Sequence, residues 1–305
     1  MKRTVIWIIS ALSSAISYTI VNIIDSHLVS KKMPSLSSVL LPLGIFQLLI
    51  SLVVLTIFHF PDIMSLTHVL VAFGSGLISG CTIIILLYNL QKGEVSRVVP
   101  VVTSAPIFVA LLSIPLLGEI LGFWQWLAVL LTVAGAVLIS LQLNYGMQKA
   151  RLQKSFFILL GAALMSAMSS IGYKYALESI SFWNMVSING ICVFVVVLLF
   201  TLRKSTLLEL KNLKGRNQKL GLIFGNQLIA AAAGTFVFIA ISNGPVALVS
   251  TITNIRPLFI FVFSLIISRF YPNFINEHLN RRTIIVKLIG IVMITGGVAI
   301  ISLSS

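Results

Sequence analysis

The chain has 305 residues, of which 58% are hydrophobic and only 9% charged. A soluble domain carries about 25% charged residues, so this one lacks the polar surface needed to be wrapped in water. Its net charge of +14 is not a nucleic-acid signal, because the basic residues sit in short gaps between apolar runs and not on an aromatic-studded face.

Apolar runs recur from end to end, which predicts an all-α, polytopic membrane protein whose surroundings are the lipid bilayer. A bilayer core takes about 20 residues per helix. Ten transmembrane helices are expected, near 4–24, 38–58, 69–90, 97–116, 122–142, 155–177, 182–202, 219–242, 246–268 and 284–303. The first follows Met1-Lys2-Arg3 in the manner of a signal peptide. It is too long for a typical signal core and no small-x-small site follows it, so it is read as a retained helix. Spans four and five are separated by Gly118-Glu119 and should form a tight antiparallel hairpin. The loop from Arg203 to Lys219 is the longest and most basic, and is expected to carry a short surface helix.

The chain repeats itself. Gly244 follows Gly93, and Pro257 follows Pro106, each at an offset of 151 residues. Gly225 follows Gly74 at the same offset, and Ala163-Leu164-Met165-Ser166-Ala167 follows Ala11-Leu12-Ser13-Ser14-Ala15 at 152. Two halves are therefore expected, residues 1–147 and 148–305, each with five spans. Five is odd, so the second half must enter the membrane from the opposite side, which makes the repeats inverted. The offset rises to 162 at the last span, which places an insert between spans nine and ten, from Arg269 to Arg282.

Charge gives an orientation. Of the 21 lysines and arginines, 17 fall in the loops after the odd-numbered spans, and only Lys2 and Arg3 fall on the other side. The positive-inside rule puts both termini on the outside of the cell membrane. Small residues mark close helix approaches: Gly74, Gly76 and Gly80 in span three, Ala162, Ser166 and Ser170 in span six, and Ala230 to Gly234 in span eight. Cys81 and Cys192 both lie inside apolar runs and form neither a disulfide pattern nor a metal motif.

Gly93-Glu94-Val95-Ser96-Arg97, Pro106, Leu117-Gly118-Glu119 and Gly135-Ala136-Val137 together resemble the EamA family of the drug/metabolite transporter superfamily. The resemblance implies an inverted-repeat helical carrier in which helices one, three, four, six, eight and nine line a central path. It leaves the substrate open. Two features depart from the family. Arg269-Phe270 stands where a second Leu-Gly-Glu corner would fall. Family members usually keep both termini in the cytoplasm, against the charge count.

Among polar residues, Arg256 stands out. It lies well inside span nine, where an arginine costs at least about 2.5–3.5 kcal/mol unless a partner or a wet cavity offsets it. Pro257 follows it and leaves a carbonyl without its helical amide. Arg256 is expected either to receive an anionic substrate group or to cap carbonyls. Lys174 is expected either to bind substrate or to pair with Glu178 one turn on. Asn22, Asn226, Gln227 and Asn254 complete the candidate substrate-binding set, each equally open to an interhelical hydrogen bond. Glu119 should accept hydrogen bonds from the start of span five. Asp25 is placed at the end of span one beside loop lysines, so no carboxylate is expected deep in a span, which points to facilitated diffusion or exchange.

There is no nucleophile constellation, phosphate-cradling loop or metal cluster, so no catalytic residue, cofactor or metal is expected. The leading expectation is a secondary transporter of a small organic solute bearing an anionic group, working by alternating access. Its expected partners are a small-molecule substrate, the bilayer and, in a homodimer, a second copy of the chain. The alternatives are a flippase or membrane-embedded enzyme acting on a lipid-linked phosphate, and a non-transporting assembly protein with a closed centre.

Overall fold

A computed structural model of the chain describes residues 2–58, 65–92, 95–140, 154–270 and 281–304. Within these, the chain is helical almost throughout. α1 (Lys2–His27) runs on into a wider π turn over Leu28–Lys32, followed by α2 (Leu36–Ile57), α3 (Leu66–Lys92), α4 (Val95–Val102), α5 (Ala105–Leu117) and α6 (Phe123–Ser140). α7 (Lys154–Ala176), α8 (Phe182–Thr201), α9 (Lys204–Lys211), α10 (Arg216–Asn243), α11 (Val246–Thr253), α12 (Arg256–Phe270) and α13 (Arg281–Ser304) follow. Seven helical stretches are long and apolar enough to cross a membrane, and three shorter ones, within α5, α6 and α13, are apolar as well. The outward surface carries large apolar side chains such as Leu199 and Val292. In water these would be a liability, whereas in lipid they are the ordinary surface. The chain is a multi-pass membrane protein.

Local sequence explains the boundaries. Ser35 caps α2, accepting from the Ser38 amide at 3.2 Å while Ser38 Oγ accepts in return from the Ser35 amide. Ser181 opens α8 in the same way, through the Asn184 amide. α5 ends at Gly118, whose φ of 66° is left-handed, and the amides of Gly118 and Glu119 close on the carbonyls of Ile114 and Ser113. A side chain at Gly118 would be strained there, which is why the corner needs glycine. The short basic-loop helix expected after span seven is α9, held to α2 by Ser35 Oγ donating to Glu209 at 2.5 Å. Gly93 and Glu94 and most of the expected insert (271–280) lie outside the described residues.

Spans four and nine are not continuous helices. The fourth breaks between α4 and α5, and the ninth between α11 and α12. The two breaks carry matching backbone hydrogen bonds. The amides of Thr103, Ser104 and Ile107 donate to the carbonyls of Val99, Val101 and Ser104. Those of Asn254, Ile255 and Leu258 donate to Ser250, Ile252 and Ile255, each 151 positions later. Proline follows each break, at Pro106 and Pro257. Because proline cannot donate and crowds the preceding residue, the same local chemistry interrupts both helices.

Helices early in the chain pair with helices late in it. α1 packs on α10 and α3 on α7, α2 packs on α8, and α6 packs on α13. α8 approaches closely because glycine faces it. A Cβ at Gly76 would stand 2.8 Å from Cys192 Cβ, one at Gly80 3.0 Å from Val196, and one at Gly44 of α2 2.9 Å from Val197. A Cβ at Gly74 meets nothing within 4 Å. Of the three glycines that thin α3, two serve this contact and Gly74 does not. Gly76→Leu and Gly80→Leu are expected to destabilise the fold by about 1–3 kcal/mol through overpacking, and Gly74→Leu to leave it intact. Thermal unfolding of the three purified variants checks this.

Candidate functional site

Helix α1 presents Tyr18, Val21, Asn22 and Asp25 to a central cavity of about 220 Å³. The spacing is that of one helical face, i, i+3, i+4 and i+7. α7 faces it with Ser166, Ser169, Ser170 and Tyr173 at the same spacing. α3 and α10 line the other walls at matching positions: Ser79, Ile83, Leu86 and Leu87 on one, and Ala230, Gly234, Val237 and Phe238 on the other. Val102 at the end of α4 and Thr253 at the end of α11 reach it from the two breaks. α2 and α8 add Leu43, Gln47, Val186, Asn189 and Val193. The path therefore draws on two helices beyond the six that the family resemblance implies.

Arg256 is the first residue of α12 and lines this cavity. Pro257 has no amide for the carbonyl four residues back, that of Thr253. Arg256 Nε donates to that carbonyl at 3.1 Å. The guanidinium lies over the Tyr18 ring, 4.4 Å from its centroid. No carboxylate stands within 4.0 Å of Arg256 among the described residues. One nitrogen is thus committed to the break, and the planar fork beyond it faces the cavity with an aromatic face beneath. The two readings of Arg256, carbonyl cap and anion receiver, use different atoms of the same side chain.

Four of the six candidate residues, Arg256, Asn254, Asn22 and Gln227, line the cavity. Asn254 turns its amide back onto its own helix, with Nδ2 donating to the Ser250 carbonyl at 2.8 Å. Asn22 is 3% exposed and its Nδ2 has no partner among the described residues. Asn226 stands behind the lining and donates to Asp25 Oδ1 at 2.7 Å. Lys174 is not in the cavity. Its Nζ donates at 2.8 Å to the carbonyls of both Ile241 and Gly244, which closes the C-terminal end of α10. The expected Lys174–Glu178 pair does not form. Glu178 lies 3.9 Å from His68 Nε2 instead, and His68 stacks on Tyr175.

Two further expectations are corrected. Glu119 caps α11, more than 100 residues on, and not the helix after it: its carboxylate accepts from the amides of Val246, at 2.7 Å, and Ala247, at the start of α11. Asp25 is not a loop residue. α1 continues past it through a π turn to Lys32, and the carboxylate is 7% exposed inside the first candidate membrane span. A carboxylate therefore does lie within a span and faces the cavity. The expected span ends at residue 24, just before Asp25, whereas α1 and the π turn after it run on to Lys32. The signal was the polar stripe Tyr18, Asn22, Asp25 on an otherwise apolar run.

Lys174, Glu119 and Trp7 meet at the Asn243–Val246 link. A Cβ on Gly244 would stand 2.7 Å from the Trp7 ring, so the link can sit against the indole only as glycine. These contacts bind α1, α7, the α5–α6 corner, α10 and α11 at the end of the cavity away from Asp25. Among the described residues no group of three His, Cys, Asp or Glu side chains is placed to hold a metal.

Residues 5–141 match the EamA-like transporter family. That family belongs to the drug/metabolite transporter superfamily, and the match covers α1 to α6. One solved crystal structure, described only as that of a protein, aligns over 96% of this chain and 96% of its own with a TM-score of 0.66. At 14% identity that likeness concerns the fold alone. No curated protein matches the chain.

The clasp around Gly244 should be testable apart from any substrate. Glu119→Ala removes the only side-chain acceptor given to the Val246 and Ala247 amides among the described residues. Amide hydrogen exchange at those two positions is expected to speed up by about tenfold or more, the worth of a charge-assisted bond, with little change in α13.

Proposed function

We propose that the chain is a secondary transporter of the EamA family that moves a small organic solute bearing an anionic group, by alternating access of two inverted five-helix halves, residues 1–147 and 148–305. The observation that carries the reading is the fork of Arg256 facing the cavity at a break in its helix. It rests on Tyr18 and has no carboxylate within 4.0 Å among the described residues. Its charge in a low-dielectric setting has a use if a cargo carboxylate or phosphate meets it. The positive end of α12 adds to the same attraction.

Several features support two related halves and ten crossings. Sequence offsets of 151 and 152 recur in separate helices. The backbone bonds around the two breaks match at that offset. The cross-half pairings exchange with one another when the halves are swapped: α1 on α10 becomes α7 on α3, while α2 on α8 and α6 on α13 map onto themselves. Discontinuous helices at the centre of such repeats are the usual setting of a carrier's binding site. The clasp of Lys174, Glu119 and Trp7 is then the closed gate of the state described. Opening that end would break the contacts at Gly244 while the opposite end closes. The charge bias between loops favours both termini outside the cell membrane. Asn22, Gln227 and Asn254 are proposed as polar contacts for the cargo. Lys174 and Asn226 act from behind the wall, one on the gate and one on Asp25.

A thermal-shift panel of small carboxylates and phosphates against the purified protein tests the reading. Ligands that bind the folded state raise its midpoint. Arg256→Gln is expected to weaken any such ligand by about tenfold to a hundredfold, the worth of a charge-assisted hydrogen bond, and to slow counterflow of that ligand in proteoliposomes. Equal responses in wild type and variant would remove Arg256 from the site.

A further inference from the structure

The cavity has a second charged pole. Asp25 lies seven residues beyond Tyr18 on the same face of α1, about 10 Å along the helix from the ring that carries the Arg256 guanidinium. Its only hydrogen bond among the described residues is the one Oδ1 accepts from Asn226 Nδ2, at 2.7 Å. No lysine, arginine or histidine nitrogen stands within 4.0 Å of it there. Oδ2 has no partner. Among the described residues, Asn226 Oδ1 is a buried acceptor without a partner, and Asn22 Nδ2, one turn before Asp25 and on the cavity wall, is a buried donor without one. A buried carboxylate with spare acceptors beside it is satisfied by a group that brings positive charge and several N–H donors together. A purely anionic cargo would leave it unpaired.

We infer that the Asp25–Asn226 pole binds an ammonium group, so that the cargo is an elongated zwitterion. Its anion sits at Arg256, its amine at Asp25, and the stem between them lies along Val21 and the apolar side chains of α3 and α10. This inference rests on the proposed role of Arg256 and adds the far end of the substrate to it. Seven residues of helix, about 10 Å of rise, separate Tyr18 from Asp25, which suits a compound with its amine and carboxylate far apart better than one that carries both on one carbon. The cavity is also neutral when both poles are ionised, so a cargo without net charge suits it.

Four eight-carbon probes separate the possibilities: octanoate, octylamine, α-aminooctanoate and ω-aminooctanoate, each titrated by thermal shift against the full-length protein in detergent. ω-Aminooctanoate is expected to bind wild type about tenfold more tightly than octanoate, and more tightly than its α isomer. Asp25→Asn is expected to bring ω-aminooctanoate down to the affinity of octanoate, and Arg256→Gln to bring it down to that of octylamine. The wild-type comparison stands without any variant, so a variant that fails to fold leaves the test in place. Equal binding of octanoate and ω-aminooctanoate to wild type would overturn the inference while leaving the anion site at Arg256 standing, and would make Asp25 at most a proton site. Tight octylamine binding that Arg256→Gln does not alter, with no response to octanoate, would remove the anion site and with it the zwitterion. No response to any probe overturns the inference as well.

Discussion

The carbonyl of Thr253 sets the architecture of the centre. Pro257 deprives it of a helical amide, and Arg256 Nε supplies the missing donor at 3.1 Å. The proline ends α11 as Pro106 ends α4, and the Nε bond fixes where the guanidinium emerges. At the matching break between α4 and α5 the counterpart of Arg256 is Ala105, which is buried. The break turns an expensive charge into one that faces a cavity and stacks on Tyr18. The cost of carrying arginine at this depth is met by local geometry before any cargo is considered.

The same economy operates at the end of the cavity. Helix ends inside a membrane leave amides and carbonyls that water cannot reach, so something in the protein must satisfy them. At the Gly244 link, Lys174 takes the carbonyls of α10 and Glu119 takes the amides of α11, and each comes from a different part of the chain. A charge that satisfies a helix end across an interface holds only while the interface is closed. That gives the molecule contacts that can be released together, with the pieces on either side remaining intact. Packing of α8 on Gly44, Gly76 and Gly80 has the opposite character: it is apolar and close, and suits a contact that stays made.

Much of this was legible from residue spacing. The helical class follows from apolar run length, and the matching of Pro106 and Pro257 from a fixed offset, but spans four and nine were expected unbroken. The depth of Arg256 was visible from run length as well. What spacing could not give was partners. Lys174 sits one turn from Glu178, and an exposed helix would pair them, but the carbonyls of α10 are closer competitors and form in the interior. Glu119 has a helix start immediately after it in sequence, yet Gly118 in its left-handed conformation turns the carboxylate towards α11. Asp25 was misplaced because the first apolar run thins after residue 24, whereas helix and a π turn carry the chain through to Lys32. The errors share a cause: each polar group chose a partner more than 60 residues away, which no local pattern encodes.

The central claim is that the break beside Arg256 opens onto water and not onto lipid. The most direct measurement replaces Asn254, which sits in the break, with cysteine in a background where Cys81 and Cys192 are alanine, and reacts it with a membrane-impermeant thiol reagent. The account predicts labelling, slowed by whichever anion stabilises the wild-type protein. A thiol at that position that ignores the water-soluble reagent and reacts with a lipid-soluble one would contradict it.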